Sequence, residues 1–359
     1  MTQTMNQTNF NLIKGQMPKT DIDRLMEKRI TKESTLPPLK PLFKMFDSPC
    51  FYRGELIADC GKAKSGKTTF LSLIMSCAIG QKDLLNLVRT SDDPLKVLWI
   101  DTEQSQQSTQ EILSKRIFPM ADNDLNERLF AFNLRGMGYE ARSKMVTIAI
   151  NHIKPDLVII DGIKDLMTDI NDAVQATIIM EHLMALAEIN NCCIVCVLHQ
   201  NKSEADRNMR GSIGTELTNK AFEVFQCEMA DESGVFKVAQ TYSRKQKMKQ
   251  KLYYQLDDNG LPTVCDNYCE QPRDEKGRWV KKTVNLDLVK FFNDAMEGRT
   301  QRKFNELMAV AMKKYGVSDA QAYYRLVREA EKQGIIRKME HPDTKDTWVE
   351  LTDDNALPF

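Results

Sequence analysis

Between about Leu42 and Val264 the chain alternates short apolar runs with longer segments of helical spacing: ELIADCG, KVLWID, RLFAFNL, DLVIIDG and CIVCVLHQ. Apolar runs of this length separated by helices predict a parallel sheet buried on both faces, because the crossover helices cover it above and below. The next two runs, VFKVAQTYSRK and KLYYQLDDNGLPTV, alternate apolar and polar residues, and the second contains the turn Asp258-Asn259-Gly260. They predict antiparallel strands that extend the sheet. Residues 1–36 are polar, carry one charged amphipathic stretch, TDIDRLMEKRITKE, and run into Pro37, Pro38 and Pro41. They read as a tail or docking arm ahead of a core spanning 37–265.

The pattern changes after the core. Residues 266–297 are polar and charged and read as a linker leading into a short helix, LDLVKFFNDAM. From 298 to 359, TQRKFNELMAVAMKKYG predicts an amphipathic helix, and Ser318-Asp319 caps a second, DAQAYYRLVREAEKQG, that stops at Gly334. The strands IIRKME and DTWVEL follow, around the turn His341-Pro342-Asp343. Helix, turn, helix and β-ribbon is the order of a winged helix, a small α+β domain. Residues 299–338 hold ten Lys/Arg against four Asp/Glu, and 339–359 hold one against six, so basic helices precede an acidic tail.

Composition narrows the function classes. The chain of 359 residues has 50 Lys plus Arg and 50 Asp plus Glu, so any nucleic-acid surface must be local. With 42% hydrophobic residues a wholly disordered chain is excluded. No apolar run reaches the length of a bilayer span, and MTQTMNQTNFNLIKG lacks the apolar region of a signal peptide, which predicts a cytoplasmic protein without membrane contact. Cys192, Cys193 and Cys196 lie within an apolar run, as reduced core cysteines do. Cys265 and Cys269 form a lone C-x3-C without a second ligand pair and read as loop thiols.

Gly61-Lys62-Ala63-Lys64-Ser65-Gly66-Lys67-Thr68 fits G-x-x-x-x-G-K-[ST] at every fixed position, after the strand ELIADC and before a helix that opens with Thr69. That context is the one a P-loop requires. Its amides point at phosphates, the helix N-terminus adds partial positive charge, Lys67 reaches the β- and γ-phosphates, and Thr68 offers its hydroxyl to Mg²⁺. ATP and Mg²⁺ are therefore the expected ligands. Asp161 ends the apolar strand of DLVIIDG and is the candidate second acid for the metal.

Glu103 and Asp101 both stand at the end of KVLWIDTEQS, and Glu103, just past the strand, is the favoured base for water. His199, in LHQNK at the end of the last core strand, reads equally as a γ-phosphate sensor or as a strand-end histidine. Residues 237–251 hold six basic residues and no acid, so Arg244 suits an arginine finger or a nucleic-acid contact.

The succession GELIADCGKAKSGKTT, VLWIDTEQS, LVIIDGIKDLMTDINDA, CIVCVLHQNK, MRGSIGTELTNKAFEVF and TYSRKQ resembles the RecA-like ATPases of the RepA type, the hexameric plasmid replicative helicases, over residues 42–262. The resemblance implies an α/β RecA-like core and a homohexameric ring. It gives Lys67 and Thr68 to phosphate and Mg²⁺, Glu103 to catalysis, Asp161 to the metal and His199 to sensing. Arg244 falls where such rings place a finger acting on the neighbour, with Arg210 as the alternative. Many hexameric helicases carry Lys-x-Arg where this chain has Ser243-Arg244-Lys245. The resemblance also puts single-stranded DNA against the loops after Asp161 and His199, the second carrying Lys202, Arg207 and Arg210.

Three functions follow as expectations. The first is a DNA-dependent, ring-forming helicase-like motor for replication of a plasmid, phage or mobile element. The second is a RecA-like switch or loader in recombination or transposition. The third is an ATP-responsive regulator that binds duplex DNA through Gln321, Tyr324, Arg325 and Arg328. A small-molecule kinase is disfavoured, because no acceptor pocket can be named and Glu103 suits water.

Overall fold

The computed structural model describes residues 20–352 except 82, 123–126, 202–205, 207, 231–233, 266–267, 269–287, 316–319 and 342–344. The chain divides at residue 270 into two compact units. The first opens with helix α1 (Asp21–Glu27) and the strands β1 (Pro41–Met45) and β2 (Ser48–Tyr52). Strand β3 (Leu56–Gly61) and helix α2 (Lys67–Ile79) follow, then β4 (Leu87–Arg89) and β5 (Val97–Asp101). Helix α3 (Gln106–Ile112) runs through a π turn at Leu113–Ile117 into α4 (Phe118–Ala121). Next come β6 (Leu129–Asn133), α5 (Tyr139–Ile153), β7 (Leu157–Asp161), α6 (Ala173–Asn190), β8 (Cys193–His199) and α7 (Gly211–Lys220). Strands β9 (Glu223–Met229), β10 (Phe236–Ser243), β11 (Leu252–Leu256) and β12 (Pro262–Val264) complete the unit.

Among the described residues, nine strands form one sheet in the order β12-β11-β10-β9-β3-β8-β7-β5-β6. The six from β9 to β6 are parallel, and β10, β11 and β12 join antiparallel. Strand alternation sends neighbouring residues into two cores, which is why both faces read as apolar in the sequence. On β7, Leu157 and Ile159 face the core of α2, while Val158 and Ile160 face that of α6. Val195 and Val197 on β8 join the first set, and Ile194, Cys196 and Leu198 join the second. This arrangement sets the carboxyl ends of β3, β8, β7 and β5 side by side, with Gly61 paired to His199 and Asp101 to Asp161. A ligand site at that edge is the rule for open α/β sheets.

The second unit holds α8 (Leu288–Met296), β13 (Gln301–Lys303), α9 (Phe304–Tyr315), α10 (Ala320–Lys332), β14 (Ile336–Glu340) and β15 (Thr347–Leu351). Its sheet runs β13-β15-β14. The expectation placed α8 in a linker, but Phe291, Phe292, Ala295 and Met296 are buried among Phe304, Leu307, Tyr323 and Val349, so this helix belongs to the unit's core. Within the helix expected from Thr300, residues Gln301–Lys303 are instead a strand, held by pairing Gln301 to Glu350 and Lys303 to Trp348. Ser318, Asp319, Pro342, Asp343 and Cys269 lie outside the described residues.

Candidate functional site

The loop between β3 and α2 is shaped by left-handed residues: Lys64 has φ +59° and Gly66 has φ +90°. Gly66 is also obligatory on space, since a Cβ there would stand 2.6 Å from Tyr254 Oη and 2.8 Å from Phe236 Cδ1. Tyr254 donates to Gly66 O at 3.0 Å, and its ring stacks on Phe236. The β10–β11 hairpin thus supports the loop from beneath. Among the described residues, no backbone N–H from Ala63 to Gly66 has a backbone or side-chain acceptor, and the buried Ser65 Oγ is unpartnered. Unsatisfied donors converging on a helix N-terminus fit a phosphate chain.

Lys67, the first residue of α2, is buried and donates to Gly61 O at 3.1 Å and Lys62 O at 2.8 Å. Its Nζ also lies 3.2 Å from His199 Nδ1. An ammonium has no lone pair, so Nδ1 must accept, which in the neutral ring leaves the proton on Nε2. Nε2 lies 3.4 Å from Glu103 Oε1, and the same oxygen is 2.7 Å from Lys164 Nζ. Lys67, His199, Glu103 and Lys164 therefore form one polar chain across the ends of β3, β8, β5 and β7. The His199 hydrogen bond, and then that of Lys164 with its charge, hold the Glu103 carboxyl down to about 2 against burial that would raise it.

Asp161 behaves in the opposite way. It is buried, its carboxylate accepts no hydrogen bond among the described residues, and burial together with the charges of Asp101, Glu103 and Asp59 pushes it up to about 8. A divalent cation at this point would relieve both the burial and the crowding, so the residues present fit Mg²⁺.

Asp101 differs again: its oxygens accept from Glu103 N (3.1 Å), Gln104 N (3.0 Å), Gln104 Nε2 (3.2 Å) and Thr109 Oγ1 (2.6 Å). Those bonds use its lone pairs to pin the turn that presents Glu103. Gly162, at φ +109°, lets Thr102 Oγ1 reach Asp161 O (2.9 Å) and Asp165 Oδ2 (2.8 Å).

The loops after Asp161 and His199 are joined to one another. Arg210 N donates to His199 O at 3.0 Å, Ile213 N donates to Ile170 O, and Ser212 Oγ donates to Asn171 O. Arg210 is exposed at the start of α7, whereas Lys202 and Arg207 lie outside the described residues. Arg244 is not brought to this edge. It follows Ser243, which pairs with Glu223 at the amino end of β9, and its guanidinium donates to Asn219 O (2.8 Å) and Ala221 O (3.3 Å) at the end of α7.

Sequence reasoning missed four contributors. Lys164 shares Glu103, and Tyr254 props the P-loop. Asp59 is buried two residues before Gly61, accepts from Cys227 Sγ at 3.2 Å and is pushed up to about 7, chiefly by burial. Arg116, in the π turn, points Nη1 at Thr69 Oγ1, 3.4 Å away. Only Asp59 left a signal, as an acid inside an otherwise apolar strand. In the second unit Tyr324, Arg325 and Arg328 are exposed on α10, and the side chain of Gln321 lies outside the described residues.

The AAA domain family matches residues 23–205, which is 183 of the 359 residues and includes Lys67, Glu103, Asp161 and His199. The chain belongs to this family of P-loop ATPases. Among solved structures, the flagellar accessory protein FlaH from Methanocaldococcus jannaschii is similar at 14% identity, with a TM-score of 0.44, over 61% of this chain and 92% of its own. No curated protein matches the chain. Among the described residues, no helix is long and apolar enough to cross a membrane.

Proposed function

We propose that the chain is an ATP-hydrolysing motor of the replicative-helicase kind, acting on single-stranded DNA as a homohexameric ring for a plasmid, phage or mobile element. The observation that carries this reading is the polar chain Lys67–His199–Glu103–Lys164, because it joins the group suited to terminal phosphates to the group suited to water. In this reading the loop from Gly61 to Thr69 cradles the phosphates, and Thr68 and Asp161 hold Mg²⁺. The metal, when bound, neutralises charge on the phosphate oxygens.

Glu103 orients and deprotonates the attacking water. A carboxylate held near 2 is a weak base, so the resting arrangement must be broken. A γ-phosphate draws Lys67 off the carbonyls of Gly61 and Lys62 and draws His199 off Glu103, which raises the basicity of Glu103. His199 O accepts from Arg210 N, so the same movement reaches Arg210 and the loop of Lys202 and Arg207, where DNA phosphates are held. Arg244 acts on the neighbouring subunit's nucleotide, and the winged-helix unit offers Tyr324, Arg325 and Arg328 to duplex DNA.

One observation favours a slower relative of this function, a nucleotide switch or loader: in the resting site two partners quench Glu103. Turnover measured without polymer, with single-stranded DNA and with duplex DNA separates the two. Strong stimulation by single strands that fades at high salt supports the motor. Turnover indifferent to DNA supports the switch and ends the motor reading.

A further inference from the structure

Strands β6, β5 and β7 end level, with Asp101 paired to Asn133 on one side and to Asp161 on the other. Two side chains that flank the loop after β6 hold the turns after β5 and β7 separately. Asn133 holds the turn of Glu103: its Nδ2 donates to Gln104 O at 3.0 Å and to Thr109 Oγ1 at 2.8 Å, and Thr109 Oγ1 donates to Asp101 Oδ2. Arg142, in the first turn of α5, holds the turn of Lys164.

Each nitrogen of the Arg142 guanidinium donates to a backbone carbonyl. Nε reaches Leu134 O at 3.1 Å and Nη2 reaches Arg135 O at 2.7 Å, which fixes the fork against its own loop. Nη1 reaches Asp165 O at 3.1 Å, in the residue after Lys164. Asp165 is held from its other end as well, since its Oδ2 accepts from Thr102 Oγ1 at 2.8 Å. Ile163 and Leu166, the ends of this short turn, are buried in the core of α6. Lys164 is the residue that this framework leaves pointing outward, with its Nζ 2.7 Å from Glu103 Oε1. The two side chains are 36 and 30% exposed. An ion pair so open to water is worth little against the rotamer freedom of a lysine, so its persistence depends on how firmly the backbone beneath it is held.

We infer that Arg142 is a positioning residue of the site: acting through the backbone of Asp165, it keeps Lys164 on Glu103 and so restrains the base while the site is at rest. Among the described residues, Arg142 makes no hydrogen bond or ion pair with Glu103, whose own turn is pinned by Asp101 and Asn133. Loss of the fork therefore frees Lys164 and leaves Glu103 in place. The other charged and titratable groups around Glu103 stay where they are: His199 at 3.4 Å with Lys67 behind it, and Asp101 and Asp161 on the two strand ends.

The inference rests on the reading of Glu103 as the base, but its first readout is Lys164 itself. An amine-reactive ester applied to the full chain at fixed pH without nucleotide, followed by peptide mass spectrometry, gives the acylation rate of Lys164 relative to the exposed Lys247. Glu103→Gln sets the rate of an unpaired Lys164. Arg142→Met should raise the relative rate about two- to ten-fold, toward that value. Arg142→Lys keeps the charge without the fork and should raise it too, in a milder variant. Adding Arg142→Met to Glu103→Gln should change the rate little, because the pair is already broken. Turnover without DNA should be faster in Arg142→Met than in wild type. A Lys164 rate unchanged in both Arg142 variants, effects that multiply in full in the double variant, or slower DNA-free turnover with Lys164 freed would each overturn the inference. The reading of Glu103 as the base fails separately, on the turnover of Glu103→Gln.

Discussion

Gly162→Ala tests the geometry that presents Glu103. At φ +109° an alanine carries a backbone strain of about 1–2 kcal/mol. Its Cβ would also run into Thr102 Oγ1 and stand 2.9 Å from Asp165 Oδ2 and 3.0 Å from Glu103 Cγ. Thr102 must then give up its buried bonds to Asp161 O and Asp165 Oδ2, and groups left unpaired in this way cost about 1–3 kcal/mol. The expected loss is about 2–5 kcal/mol by chemical denaturation. A displacement of Glu103 by about 1 Å would reduce turnover roughly 100-fold. Thr102→Ala removes the atom that clashes, so the double variant should be less destabilised than the sum of the singles by about 1–2 kcal/mol. A Gly162→Ala protein within about 0.5 kcal/mol of wild type, or strict additivity in the double variant, would refute the reasoning.

Three further outcomes are expected. Burial raises the carboxyls of Asp59, Asp161 and Glu223 to about 7, 8 and 7. The folded chain thus binds these protons more tightly than the unfolded one, and stability falls as pH rises from about 4 to 8. Melting temperature without Mg²⁺ should drop from pH 5 to pH 8, Asp161→Asn should flatten that drop, and a rise with pH would contradict it. Lys164→Met removes the second partner of Glu103, so the acidic limb of the pH–rate profile should move up toward the ordinary carboxylate range, and an unmoved limb would uncouple the pair. Arg244→Ala strips a cap from α7 and should cost about 0.5–1 kcal/mol. If Arg244 also acts across the interface, mixing that chain with Lys67→Ala restores turnover, and failure to restore it leaves Arg244 only the cap.

The parts of the site visible in the sequence are those whose chemistry is contiguous. Gly61 to Thr68 declares itself because consecutive amides and a helix start do the work, and the buried strands declare themselves because burial on both faces leaves them mostly apolar, Asp59 in β3 being an exception. Lys164 as the partner of Glu103 could not be read, since the two are 61 residues apart and meet only because β7 and β5 are neighbours. Asp101 and Glu103 look equivalent in sequence, and it is the hydrogen bonds of the turn that separate them. An arginine after a strand has the same pattern whether it caps a helix of its own chain or reaches a neighbour, so Arg244 stayed open. Gln301–Lys303 has no strand pattern of its own and is extended because β15 pairs with it. The apolar positions of Leu288–Met296 were visible, but the core they enter was not.

The central claim is that this edge of the sheet hydrolyses ATP with Glu103 as the base. Its most direct test measures binding and turnover of Mg·ATP separately for wild type, Glu103→Gln and Lys67→Ala, with and without single-stranded DNA. The account expects Glu103→Gln to bind Mg·ATP about as well as wild type while turning it over roughly 100- to 10,000-fold more slowly, and Lys67→Ala to lose binding. Undiminished turnover by Glu103→Gln would contradict it.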